Sequence, residues 1–137
     1  MRVLLDTNVI LDVALERQPF FAPAAQILQA SDFDRIYLFI TASMATDIYY
    51  ILRKSKGRKS TIEFLVDLLK LVDVCQVDRS ILLDALDSGF LDFEDAVQNA
   101  AAIDSQIEII VTRNKADYRI SPLMVLTPEE FAAAHLA

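Results

Sequence analysis

Short apolar runs alternate with longer stretches of helical period along the chain. Val3-Leu4-Leu5 is an uninterrupted apolar run ending at Asp6, which predicts a buried strand. Asn8 to Glu16 has helical character, with Val9, Leu11, Val13 and Leu15 apolar; Pro19 and Pro23 interrupt it and open a second helix to about Ala30. Ile36 to Ile40 predicts a second strand, and Thr41 or Ser43 caps a helix to about Lys54. After a turn at Gly57, Ser60 opens an amphipathic helix to Leu71, and Val72 to Val77 predicts a third strand. Asp78 caps a helix to Asp87 that Ser88-Gly89 stops, and Asp92 caps another to about Asp104. Ile107 to Val111 and Leu123 to Leu126 are the last two strands. Thr127-Pro128-Glu129-Glu130 then supplies a cap, a proline at the first helical position and acids in the first turn.

Strand and helix alternate throughout, with no repeat, linker or low-complexity segment. The pattern predicts a single α/β domain over residues 1–137, a three-layer α/β/α sandwich with a mainly parallel sheet. Such sheets gather ligands beyond the carboxyl ends of their strands. The polar residues just past those ends therefore carry the interest.

Asp6-Thr7-Asn8 follows the first strand, Asp47 sits in the helix after the second, and Asp92-Phe93-Glu94-Asp95-Ala96 opens a later helix. Thr112-Arg113-Asn114-Lys115-Ala116-Asp117 follows the fourth strand. Each has a plain structural explanation: helix cap, solvated edge, dipole-stabilised first turn, or connecting loop. Asp47 is the hardest to explain so, because its neighbours Met44, Ile48, Ile51 and Leu52 are apolar. Together, Asp6, Asp47, Asp95 and Asp117 follow different strands of one sheet, a hard oxygen-donor set suited to Mg²⁺ or Mn²⁺. Asp6 and Asp95 are expected as main ligands, with Asp47 helping to bind metal or orient the nucleophile and Asp117 completing the site. Glu94 reads as solvated.

Composition narrows the chemistry. The 137 residues are 54% hydrophobic with only two glycines, enough to bury a core. The formal charge of −7 argues against a generic nucleic-acid binder unless clustered acids hold cations. A single cysteine, Cys75, in an apolar strand reads as a core thiol and suits a reducing cytoplasm. Residues 1–5 lead straight into a motif, so no leader is expected, and no apolar run is long enough for a membrane span. With one histidine, His135, expected in a frayed tail, a Ser-His-Asp or Cys-His hydrolase and a Cys/His zinc site are excluded. Neither GxGxxG nor a Walker A motif is present.

The ordered set resembles the PIN-domain family from Val3 to about Phe131: Asp6-Thr7-Asn8-Val9-Ile10-Leu11-Asp12, Asp47, Asp92-Phe93-Glu94-Asp95-Ala96, Ile110-Val111-Thr112-Arg113-Asn114 and Asp117-Tyr118. The resemblance implies a divalent-metal-dependent ribonuclease. Many small members are VapC-type toxins that dimerise and are held inactive by an antitoxin. By the family pattern Asp6, Asp47, Asp95 and Asp117 are the acidic positions, with Asn8, Thr112 and Asn114 as hydrogen-bonding helpers. Two features depart from it: the second acid is usually Glu where Asp47 stands, and either Asn114 or Asp117 fills the fourth position.

For RNA, Arg113, Lys115 and Arg119 lie nearest the proposed metal and are expected at substrate phosphates. The Arg53 to Lys59 turn, with Arg53 and Lys54, is a second basic candidate. Tyr49, Tyr50 and Tyr118 are either stacking platforms or core and interface residues. A dehalogenase-like phosphatase fails because Asn8 stands where its second Asp is needed, and a receiver domain lacks its acidic pair. The remaining rival is a PIN-like binding module, weak or inactive in catalysis.

Overall fold

The computed structural model describes residues 1–32 and 35–136. Five strands form one sheet: β1 (Arg2–Leu5), β2 (Tyr37–Thr41), β3 (Val72–Cys75), β4 (Ile109–Val111) and β5 (Met124–Leu126). Their order is β3-β2-β1-β4-β5, and every pair is parallel. The predicted three-layer fold is what forms. The central strands are apolar on both faces because helices cover both: Val3, Leu4, Leu5, Ile110 and Val111 have no exposed surface.

The helices are α1 (Thr7–Ala14), α2 (Phe21–Gln29), α3 (Ala42–Leu71), α4 (Arg79–Asp87), α5 (Phe93–Asp104) and α6 (Pro128–His135). α1 packs against α2 and α3, and α2 against α6. α4 packs against α5, in the connection from β3 back to β4. Right-handed crossovers put that pair on the opposite face of the sheet.

Several boundaries differ from the sequence reading for local reasons. α1 ends at Ala14, with Glu16 in the left-handed region at φ 50°. α2 begins two residues before Pro23, which lies in its first turn, where a missing N–H costs nothing. The two helices expected between residues 41 and 71 both form and meet at a kink at Gly57 (φ 78°, ψ 171°), a conformation glycine adopts readily; α3 denotes the pair. The Thr61 hydroxyl donates to the Gly57 carbonyl (2.7 Å) across the break. β3 stops at Cys75, a buried free thiol. His135 ends α6 with its ring 4.9 Å from that of Phe131, rather than fraying.

The chain runs outward from β1 to β2 and β3 at one edge. It then returns to β4 on the other side of β1 and ends at β5. The strand order reverses between β1 and β4, and a crevice opens there at the carboxyl ends. Asp6 and Thr112 are the first residues beyond those two ends. The Asp6 N–H donates to the Val111 carbonyl at 2.9 Å, which fixes the rim.

Candidate functional site

An open cleft of about 360 Å³ lies over this reversal, lined by Asp6, Asn8, Asp47, Glu94, Asp95 and Asn114, with Tyr50, Ile51 and Gln98 among its walls. Four elements deliver these side chains. β1 leads into Asp6, the N-cap of α1, whose Oδ1 accepts from the Thr7 N–H (2.8 Å). Its Oδ2 accepts from the Thr112 hydroxyl at 2.7 Å, so β1 and β4 are joined through the carboxylate itself. Thr112 Oγ1 also accepts from the Asn114 N–H (3.0 Å), which shapes the loop that brings Asn114 to the cleft. Thr41 caps α3 by accepting from the Met44 N–H (3.2 Å), and Asp47 follows with Met44 and Ile48 buried on either side. Asp92 caps α5, its Oδ1 accepting from the Asp95 N–H (3.0 Å), so Glu94 and Asp95 fall in a first helical turn whose dipole favours anions.

Burial and neighbouring carboxylates raise the pKa values of Asp6, Glu94 and Asp95. Asp6, only 7% exposed, is pushed up chiefly by burial, against the Thr112 and Thr7 hydrogen bonds. Glu94 is raised first by Asp47 and then by burial, Asp92 and Asp6. Asp95 is pushed up to about 7 by burial, then by Asp92, Asp6 and Asp117, with the Tyr118 hydroxyl opposing. Such a cluster is short of positive charge, and its donors are the hard oxygens that Mg²⁺ and Mn²⁺ prefer. The donor chemistry therefore fits a divalent cation. Among the described residues, no three Asp, Glu, His or Cys side chains lie close enough together to hold an ion as they stand.

The expected residues divide between two neighbouring clefts. Asp6, Asp47, Asp95, Asn8 and Asn114 share the first. Asp117 does not line it; it faces the adjoining cleft, which Asp95 also borders, and acts on Asp6 and Asp95 through charge. Thr112 is fully buried beneath the first cleft. Arg113 does not fit the expected contact with substrate phosphate. Its Nη2 donates to Asp12 Oδ1 (3.2 Å), its Nε stands 2.9 Å from Asp12 Oδ2 off the line of a good hydrogen bond, and its guanidinium lies over the Phe20 ring. Lys115 pairs with Glu130 at the surface (3.1 Å), a contact water competes for readily. Arg53 and Lys54 are exposed on α3 outside the cleft lining. Tyr50 lines the cleft at 62% exposure, whereas Tyr118 is buried with its hydroxyl on Gln98, so it offers no stacking face.

Glu94 and Gln98 went unrecognised in the sequence. The signal lay in their spacing: positions i and i+4 share a helix face, and here they form a polar stripe on a helix otherwise rich in buried alanine.

A PIN domain family model matches residues 2–116. Ribonuclease VapC1 of Aquifex aeolicus is 33% identical over 95% of this chain and 92% of its own. Among solved structures, VapBC-1 from nontypeable Haemophilus influenzae superposes with a TM-score of 0.73 at 15% identity, over 94% of this chain and 99% of that one. A toxin–antitoxin complex from Klebsiella pneumoniae gives 0.69 at 23% identity, over 92% and 97%. The family match covers four of the five strands, the residues of the acidic cleft and every helix before α6, and this chain belongs to the PIN domain family.

Proposed function

We propose that this protein is an endoribonuclease that hydrolyses RNA phosphodiester bonds with Mg²⁺ or Mn²⁺, and that it is the toxin of a toxin–antitoxin pair. The observation that carries the reading is a single cleft at the strand-order reversal holding Asp6, Asp47, Glu94 and Asp95, where Asp6, Glu94 and Asp95 are raised in pKa. Likeness to a ribonuclease over nearly the whole of both chains supports it. When bound, the ion supplies Lewis acidity and positive charge for attack at phosphorus. Asp6, Asp95 and Glu94 would hold it, with Asp47 binding alongside. Thr112 keeps the Asp6 carboxylate in one orientation. Asn8 and Asn114 offer amide donors to the substrate from the cleft wall, and Asp117 adds negative charge from its neighbour.

Two surfaces fit protein partners. The groove between α1, α2 and the second half of α3, walled by Val13, Phe21, Leu28, Phe64 and Leu68, suits the apolar face of an antitoxin segment. The exposed Leu82, Leu83 and Leu86 of α4 suit a second copy of the chain. An RNA substrate places the work in the cytoplasm; no described helix is long and apolar enough to cross a membrane.

The test is cleavage of single-stranded RNA by the purified chain. Mg²⁺ or Mn²⁺ should support it, EDTA should stop it, and Asp6→Asn or Asp95→Asn should abolish it with circular dichroism unchanged. Cleavage that survives chelation or Asp95→Asn overturns the reading. A folded wild type that binds Mn²⁺ yet cuts no RNA is the inactive binding module instead.

A further inference from the structure

We propose that the cleft next to the acidic one is a nucleobase subsite, which receives the nucleotide beside the scissile phosphate and favours a base presenting N–H donors. The proposal rests on the ribonuclease reading and extends it to how the substrate is chosen.

This second cleft, of about 230 Å³, lies between the turn joining α4 to α5 and the segment after β4. Asp95 borders both clefts, so a strand with its phosphate in the first has its neighbouring nucleotide at the second. The apolar wall is Phe90, Leu91 and Ile120. Leu91 is 98% exposed and Ile120 52%, surface that water leaves gladly when a flat ring covers it.

Both sides of the cleft are held in place. Gly89 turns the chain at φ +83°, and a side chain there would meet the Ile120 Cδ1 at 3.9 Å. Ser88 Oγ donates to the Ala85 carbonyl (2.7 Å) and accepts from the Phe90 N–H (3.3 Å). The Phe90 ring meets Tyr118 edge-on at 6.1 Å. On the other side, Ser121 bonds Asn99 Oδ1 through its hydroxyl (2.6 Å) and the Tyr118 carbonyl through its N–H (2.9 Å). Little ordering is left for a ligand to impose.

The polar groups select the occupant. Asp92 and Asp117 border the cleft, and Arg119 is its cation. None of the three makes an ion pair among the described residues. Two carboxylates repel a phosphate from the interior but accept from the N–H groups of a neutral base. Asp92 spends Oδ1 on the helix cap and keeps Oδ2 as an acceptor. Guanine offers two donors on its Watson–Crick edge where uracil offers one. Arg119 can stack on the ring or meet the backbone at the mouth.

The experiment uses the full chain carrying Asp6→Asn, so that RNA is not consumed. The probes are two labelled oligoribonucleotides, one of uridines alone and one with a single guanine among uridines. The guanine probe should bind more tightly. Ile120→Ser and Leu91→Ser should each weaken it about tenfold, a typical share for one base contact. Asp92→Asn keeps the cap but exchanges an acceptor for a donor, and should erase the guanine preference. Equal binding by all variants overturns the proposal. So does loss of a dimer on Leu91→Ser with RNA affinity unchanged, which would give this surface to a second copy. Wild-type cleavage with Mn²⁺ is measured in parallel. If it occurs while the serine variants bind normally, the subsite falls and the nuclease stands; if it fails while Ile120→Ser still weakens binding, the nuclease falls and the subsite stands.

Discussion

At Asp95, burial and the carboxylates of Asp92, Asp6 and Asp117 push the pKa up to about 7, from an ordinary 3.8. The unfolded chain releases this proton near the lower value and the folded chain near the higher one. Between them the folded state binds more protons, so stability falls as pH rises through the window. Asp6 and Glu94 are raised too and push the same way. Metal-free protein should therefore melt at a lower temperature at about pH 8 than at about pH 5.5, and Asp95→Asn should flatten that slope without removing it. Melting curves in EDTA check both. A group that costs stability when charged, and shares a cleft with three other carboxylates, is one whose cost a bound cation would offset. Thr112→Val tests the opposite case. It removes the one hydroxyl donor to the buried Asp6 Oδ2, and hydrogen bonds to charged groups are worth about 2 kcal/mol. Mn²⁺ affinity should drop along with the melting temperature; normal affinity would show that the hydroxyl only fills space.

The elements were legible where periodicity and capping agreed. Asp78, Asp92 and Thr127 cap α4, α5 and α6 as their residue types predict, and Thr127 with Glu130 forms a full capping box. What stayed hidden depended on contacts far apart in sequence. Arg113 reads as a free cation beside a metal site, but Asp12, 101 residues away, claims it. Asp12, to which the sequence assigned no role of its own, is fully buried, with Arg17 also 3.7 Å from it. Thr112 with Asp6 and Arg113 with Asp12 tie the β4 loop to α1 at two successive residues. Arg113→Ala leaves a buried carboxylate without its main partner, which typically costs about 3–5 kcal/mol. The paired change Asp12→Leu with Arg113→Met removes both charges and should cost much less. Urea unfolding of the two variants makes the comparison; equal losses would mean that the side-chain volumes, not the charges, hold the loop.

At the scale of the whole molecule, the acidic charge is gathered in one place by the topology of the sheet. The winding of the sheet places the ends of β1 and β4 side by side, so acids from residues 6, 47, 94 and 95 border one cleft although forty residues separate the first two. The alternation of strand and helix implied that convergence, but the placing of Asp117 in the adjoining cleft alone depends on how the turn after Asn114 packs, which no local pattern encodes. With a net charge of −7, repulsion within the folded state is concentrated where a divalent ion would relieve it. A ligand that binds only the native state adds about 2.7 kcal/mol at a hundredfold excess over its Kd. For a chain of this size each kcal/mol moves the midpoint by about 3–5 °C, so saturating Mn²⁺ should raise Tm by roughly 10 °C. The rise should be larger at about pH 8 than at about pH 5.5, because protonated Asp95 at the lower pH competes with the ion, and Asp6→Asn or Asp95→Asn should remove most of it. Ca²⁺ can separate charge from geometry in the same melts: a cleft that merely needs positive charge gains equally from either ion, whereas one shaped for small octahedral ions gains more from Mn²⁺.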